Sequence, residues 1–244
     1  MIVNIINFFI RKWLRNVSVA STKDFHPYEK FVQSKNKEDF NEIYKRGLVV
    51  TQTPESLWRK DRFLNLFNLA KGSIPFDGVI AECGCWKGLS AYVIASAVQS
   101  QDLNFKGENF FVIDSFEGLS KPDKLDGQMN ISTDNKFFSD IEMTKKNLNE
   151  FSNITYIKGW IPNVLSEIPE KKYSFVHIDV DLATPTIEAM KYFFPRLTPA
   201  GLIVCDDYGS IHWHGMRKEV DSFCKNEGIK NIMLSTGQLI LFKS

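Results

Sequence analysis

From Gly78 onward, short apolar runs alternate along the chain with longer amphipathic ones. Val79-Ile80-Ala81, Phe110 to Ile113, Ile154 to Ile157, Ser174 to Ile178 and Leu202 to Cys205 are bounded by turn residues and read as buried strands. Helical patterns separate them: Leu89 to Val98, about Asp140 to Phe151, a short one over Pro162 to Ile168, Pro185 to Leu197, and Met216 to Asn226. Asn231 to Leu234 and Gln238 to Phe242 close the chain around Thr236-Gly237, near enough for an antiparallel hairpin. The alternation predicts an α/β protein with a mostly parallel, doubly wound sheet covered on both faces. Such sheets bind ligands at the carboxyl ends of their strands. Glu82, Asp114, Asp179 and Asp206 each follow an apolar run directly, as that rule requires.

Upstream, Thr53-Pro54-Glu55 predicts a helix start, with a capping hydroxyl, a first-turn proline and an acid at the positive end. Leu57, Phe63, Leu64, Phe67 and Leu69 form its apolar face, and Gly72 is its expected stop. Residues 1–52 are read as an N-terminal helical extension and 53–244 as the main domain. Within the extension, Ile2, Ile5, Ile6, Phe9, Trp13 and Val17 make a helical stripe among Arg11, Lys12 and Arg15. The stripe is too short and polar to span a bilayer and lacks the layout of a signal peptide. Two readings of it stand: packing against its own or a partner subunit in a homo-oligomer, or lying on a membrane surface.

Composition narrows the function classes. A hydrophobic content of 43% over 244 residues supplies one large core and excludes a disordered chain. With 30 basic and 29 acidic residues the net charge is +1, so no global field recruits nucleic acid. Cys83 and Cys85 are spaced for neither zinc nor an easy disulfide. With Cys205 and Cys224 they read as reduced packing residues, and a cytoplasmic location is expected.

The first strand leads into Glu82-Cys83-Gly84-Cys85-Trp86-Lys87-Gly88-Leu89-Ser90 and a helix. A dinucleotide site needs Gly-x-Gly-x-x-Gly, so that a pyrophosphate can reach bare backbone at the helix N-terminus. Here Cys85, Trp86 and Lys87 fill the space between Gly84 and Gly88, and no P-loop Gly-Lys-Ser/Thr follows. The loop suits a ligand without phosphates, such as S-adenosylmethionine. Glu82 would attract its ammonium directly or through water. The helix N-terminus and the Ser90 hydroxyl would take its carboxylate, and Asp114 would accept its ribose hydroxyls. The blander readings are a packing role for Ser90 and a turn or cap role for Asp114 ahead of Ser115.

Phe175-Val176-His177-Ile178-Asp179-Val180-Asp181 and Cys205-Asp206-Asp207-Tyr208 end the fourth and fifth strands. If those strands are neighbours, three or four carboxylates converge, repel and are driven to higher pKa values. A hard cation, Mg²⁺ or Mn²⁺, relieves this. The alternative is surface carboxylates or helix caps ahead of Pro185. Strand alternation makes Asp181 a reserve ligand on the side of Asp179. His177, inside an apolar run, reads as a satisfied core histidine. His212 and His214, in the loop after the second acid pair, are placed to touch an acceptor or to act as bases. Trp160 is either a core aromatic or a stacking surface near adenine.

Together these residues resemble the macrocin O-methyltransferase family, which methylates sugar hydroxyls on macrolide antibiotics. From about Thr53 to the C-terminus the shared motifs occur in order: Glu82-Cys-Gly-Cys-Trp-Lys-Gly, Asp114-Ser-Phe-Glu-Gly-Leu, Lys158-Gly-Trp160, His177-Ile-Asp-Val-Asp-Leu182 and Asp206-Asp-Tyr-Gly209. The resemblance implies a Rossmann-like class I methyltransferase, S-adenosylmethionine as methyl donor, and Mg²⁺ holding the hydroxyl of a small-molecule or glycan acceptor. It implies metal binding by Asp179, Asp206 and Asp207, and cofactor binding by Glu82, Gly84, Ser90 and Asp114. Trp86, Gly88, Ser115, Gly159, Trp160 and Asp179, from the same stretches, complete the cofactor set. Asp179 with His214 and His212 makes the expected catalytic set. The family's usual Tyr-Glu-Ser-Thr after Leu182 is replaced by Ala183-Thr184-Pro185-Thr186, which bears on the acceptor pocket, and its Gly-Gly before the fifth strand by Ala200-Gly201. Two other functions fit part of the pattern. A metal-dependent glycosyltransferase would use Asp179-Val180-Asp181 but leaves Glu82, Asp114 and the second acid pair unexplained. A non-catalytic cofactor-binding partner subunit has no need of all three metal-site aspartates.

Overall fold

The computed structural model describes residues 35–74, 77–127, 136–211 and 214–243. The apolar stripe from Met1 to Val17 lies outside the described residues. The chain divides into two compact units, Met1–Ile43 and Tyr44–Ser244. What is described of the first is the start of helix α1 (Lys35–Val50). The second runs through α2 (Leu57–Ser73), β1 (Val79–Cys83), α3 (Leu89–Gln99), β2 (Phe110–Asp114), α4 (Ile141–Asn147) and β3 (Thr155–Lys158). It continues with β4 (Tyr173–Ile178), α5 (Ala183–Phe193), β5 (Leu197–Cys205), α6 (His214–Asn226), β6 (Asn231–Met233) and β7 (Leu239–Phe242).

The described strands form one seven-stranded sheet in the order β3-β2-β1-β4-β5-β7-β6. β1 to β5 are parallel; β7 lies antiparallel between β5 and β6. This is the mostly parallel, doubly wound arrangement expected, with the closing strands antiparallel to each other. Side chains alternate across a strand, so Ala81, Cys83, Val176, Ile178, Ile203 and Cys205 share one face. They pack there with Ile187, Met190 and Phe193 of α5 and Met216, Val220 and Cys224 of α6. Glu82 and His177 have the opposite parity, and the parallel register pairs them directly across β1 and β4. All four cysteines are buried and free, as expected.

Several boundaries differ from expectation. α2 begins at Leu57 rather than at Thr53, and Ser56 precedes it without a side-chain cap. Thr53 instead turns inward, its hydroxyl 2.9 Å from that of Thr51. α2 also runs through Gly72 to Ser73, and its buried apolar positions among the described side chains are Leu66, Phe67 and Ala70, a rotated version of the expected face. α5 starts at Ala183, which places Pro185 in the first turn, where no N–H is needed. β5 starts earlier, at Leu197, which pairs with Tyr173 of β4, and the Ala200 and Lys243 backbones also pair beyond the end of β7. Asp179 to Asp181 is not strand. β4 ends at Ile178, and Leu182 N donates to Val180 O across a tight turn with Asp181 at φ +60°. The strand alternation expected to align Asp181 with Asp179 therefore does not apply.

Gly84 shows how closely the strand ends approach. Its φ is +84°, and a Cβ there would lie 1.9 Å from the Asp179 carbonyl oxygen. Neither conformation nor space admits a side chain. Gly84→Ala is expected to destabilise the fold by about 2 kcal/mol or more. Urea unfolding checks this, and an unchanged midpoint would contradict the packing described.

Candidate active site

A cavity of about 750 Å³ opens at the carboxyl ends of β1, β2, β4 and β5. It brings together, from the sequence-predicted set, Gly84, Trp86, Ser90, Asp114, Ser115, Gly159, Trp160, Asp179, Asp206 and Asp207. Glu82 and Gly88 do not line it. His212 lies outside the described residues, and His214 opens α6 with its side chain outside them as well. The wall also contains residues that sequence reasoning did not single out, among them Arg59, Arg62 and Leu66 of α2, Phe137 and Ile161.

On the loop side, Asp114 is the organiser. Its Oδ2 accepts from Cys85 N at 2.7 Å and Trp86 N at 3.1 Å, and its Oδ1 accepts from Phe116 N at 2.7 Å. These bonds hold Trp86 at φ +47°. The Trp86 indole donates to the Phe138 carbonyl at 3.3 Å and meets Phe137 edge-on, with ring centroids 5.6 Å apart. Ser115 closes the next turn, donating to Gly118 O at 2.9 Å. Gly159 N donates to Asp114 O at 2.9 Å, continuing the sheet so that Trp160 emerges into the cavity. Gly88 caps α3 at φ +92°, and Ser90 sits buried in that helix's first turn.

Glu82 is fully buried, and its Oε1 lies 2.8 Å from His177 Nδ1. Burial raises the Glu82 pKa, and the His177 bond opposes it. Burial alone would lower the His177 pKa, but the carboxylates of Asp206 and Glu82 on either side outweigh it and raise it to about 9. His177 is thus a core histidine held between two acids, its Nε2 3.6 Å from Asp206 Oδ1.

The acids gather because β4 and β5 are neighbours. His177, Asp179 and Asp206 can bring ligand atoms within 4.8 Å of one another. Burial and the charges of Asp206 and Asp207 drive the Asp179 pKa well up; burial and Asp207 do the same to Asp181. Asp206 stays low despite burial because Arg62 and His177 favour its charged form. Asp207 is raised, burial outweighing the attraction of Arg62. Arg62 pairs with Asp206 Oδ2 and lies 3.3 Å from Asp207 Oδ1. Its signal in the sequence was faint but real: Arg59, Arg62 and Leu66 share one helical stripe, so two cations stand in line with a core residue. The replaced segment after Leu182 also meets the site. Pro185 lines the cavity, while Ala183 N donates to Asp126 at 2.7 Å and Thr184 to Asp123 at 2.5 Å.

Residues 41–241 match the family described as Macrocin-O-methyltransferase (TylF). The chain belongs to this family. Among relatives, the macrocin-family chain is 26% identical over 149 residues to the 8-demethyl-8-(2,3-dimethoxy-alpha-L-rhamnosyl)-tetracenomycin-C 4'-O-methyltransferase of Streptomyces olivaceus, covering 57% of this chain and 55% of that protein. It spans about half the length of the curated relatives it matches. In fold it is similar to the O-methyltransferase NovP, with a TM-score of 0.66 at 18% identity, covering 75% of this chain and 79% of that one. It is equally similar to the calicheamicin methyltransferase CalS11, with a TM-score of 0.66 at 16% identity, covering 83% and 91%. Membership of a methyltransferase family sets the glycosyltransferase reading aside. Among the described residues, no helix is long and apolar enough to cross a membrane.

The raised His177 pKa carries a sign. A charged imidazole stabilises the fold fully below its ordinary 6.5, and that contribution fades as pH rises through about 9. In chelator, an NMR titration of the His177 ring is expected to give a midpoint near 9, moving toward 6.5 in Glu82→Gln. A wild-type midpoint at or below 6.5 would refute the paired-acid environment.

Proposed function

We propose that this protein transfers the methyl group of S-adenosylmethionine to a sugar hydroxyl of a small molecule or glycan, with a divalent cation held by Asp179, Asp206 and Asp207. The observation that carries the reading is that one cavity contains both the β1 loop with Asp114 and the acid cluster. Its volume is of the order that encloses a drug-sized ligand and leaves room for an acceptor. Family membership and the sugar O-methyltransferase named among its relatives support the reaction class.

The residues suit the donor. Asp114 retains acceptor capacity for one ribose hydroxyl, on Oδ1, beyond its three backbone bonds, since a carboxylate has about four lone-pair sites. Trp160 and Trp86 offer faces for stacking, and Ser90 with the α3 N-terminus offers donors for a carboxylate. Glu82 would act on an ammonium only through an intermediary, because it does not reach the cavity surface. The residues also suit the cation. The donors are hard oxygens, Asp207 Oδ2 is buried without a partner, and burial together with like charge has pushed Asp179 and Asp207 toward protonation. When bound there, Mg²⁺ or Mn²⁺ would favour ionisation of the acceptor hydroxyl and fix its position.

In the reaction an oxygen–carbon bond forms at the acceptor, the sulfonium carbon–sulfur bond breaks, and one proton leaves the hydroxyl. His214, the first residue of α6, or His212, two positions before it, is the proposed proton acceptor. Asp181 is the described alternative: it lines the cavity, and burial raises its affinity for a proton. An imidazole base predicts that turnover in His212→Ala or His214→Ala collapses across pH 6–9 while Asp181→Asn keeps its pH profile. The opposite pattern assigns the role to Asp181.

Two measurements test the main reading. Transfer of labelled methyl from S-adenosylmethionine to sugar-bearing acceptors should stop in chelator and return with Mg²⁺ or Mn²⁺. Asp206→Asn and Asp207→Asn should lose about a hundredfold or more in turnover while binding S-adenosylhomocysteine nearly normally. Full activity in excess chelator would remove the metal from the mechanism. Asp114→Asn should weaken S-adenosylhomocysteine binding by about tenfold or more, as loss of charge-assisted bonds requires; unchanged calorimetric affinity would sink the ribose assignment.

A further inference from the structure

Arg62 occupies the acid centre from outside the strand–loop motifs. Its guanidinium pairs with Asp206, lies 3.3 Å from Asp207 Oδ1, and donates to the Asp206 carbonyl at 2.6 Å. The side chains of Arg62, Asp206 and Asp207 are only 14%, 11% and 10% exposed, so salt screens these pairs weakly. The backbone of Arg62 is held in place, while its side chain is tied to the acids. Gln238 Nε2 donates both to the Arg62 carbonyl at 3.3 Å and to Asp206 Oδ1 at 2.6 Å. One turn along, Asn65 donates to Thr236 Oγ1 and Gln238 Oε1, each at 3.1 Å. Helix α2 is thereby pinned over the end of β5 by the turn between β6 and β7.

Carboxylates satisfied by a guanidinium have less to give a second cation, and two cations in one small cluster repel. The oxygens that Arg62 does not hold are those of Asp179, Asp206 Oδ1, which accepts from Gln238, and Asp207 Oδ2, which is buried and unpartnered. We propose that Arg62 is a tethered competitor of the divalent ion: it neutralises Asp206 and Asp207 itself, lowers the metal affinity of the centre, and loosens from them when the ion binds. This rests on the metal reading above. It has a consequence for the acceptor, because α2 also carries Arg59, Phe63 and Leu66 into the cavity wall. Arg62 lines the same wall, so a cation that displaces its guanidinium would alter the acceptor's surroundings and couple metal and acceptor affinities.

The test is Mn²⁺ binding, followed by calorimetry and by the ion's magnetic resonance signal, in the full-length protein and in Arg62→Ala. Removing the competitor is expected to tighten Mn²⁺ binding by about tenfold or more. Free guanidinium ion should compete with Mn²⁺ in Arg62→Ala and not in the wild type. Unchanged or weaker binding in Arg62→Ala, with the wild type binding normally, overturns the competition and leaves the metal reading intact. Binding by the variant alone supports the competition in its strongest form. Failure of both proteins to bind Mn²⁺ overturns the metal reading and this inference with it. Should Arg62→Ala not fold, the NMR signal of the wild-type Arg62 guanidinium serves instead: a change on saturation with Mg²⁺ supports displacement, and an unmoved signal refutes it.

Discussion

Three carboxylates on the ends of two neighbouring strands sit in one enclosed space, and each would rather be in water. An uncompensated buried charge costs several kcal/mol, so Asp179, Asp206 and Asp207 dictate much of what surrounds them. Arg62 comes from α2, His177 from β4 with Glu82 behind it, and Gln238 from the turn just before β7. Compensation is uneven. Asp206 has the arginine, the histidine and the glutamine, and stays charged; Asp179 and Asp207 are pushed toward protonation. That imbalance is what the proposed divalent cation would relieve.

The loop side obeys a different constraint, that of backbone geometry. Gly84 lies against the Asp179 carbonyl, and Asp114 ties down the amides of Cys85 and Trp86. The proposed donor loop and the acids are therefore fixed to each other by main chain rather than by flexible side chains. A displacement reaction benefits from such rigidity, because small errors in the approach of the reacting atoms are expensive. Asp114 has two duties as a result, shaping the loop and facing the cavity, and its replacement disturbs both.

The buried Glu82–His177 pair links the two halves beneath the cavity floor. Parallel register sets the residues side by side, and the bond between them leaves Glu82 below the surface that a ligand would touch. A glutamate at the end of a first strand looks like a ligand contact. Here its nearest partner is the histidine that also supports Asp206.

Periodicity and turn chemistry made the strands, a mostly parallel sheet and the strand-end acids legible in the sequence, because apolar runs and the residues that stop them are local properties. The gathering of Asp179, Asp206 and Asp207 followed from one further assumption, that β4 and β5 are neighbours. Helix limits were less legible: Thr53 looked like a cap but bonds to Thr51, and Gly72 did not end α2. Propensity is weak there, and packing against the body of the protein decides. The partners of the acids were beyond local reading altogether. Arg62 lies 144 positions before Asp206, and Gln238 lies 32 positions after it. Only the folding of α2 and the last hairpin over the end of β5 joins them. Residue type and spacing singled out the groups proposed to carry chemistry; tertiary contact alone decided which charge faces which, because electrostatic pairing depends on distance in space and not along the chain.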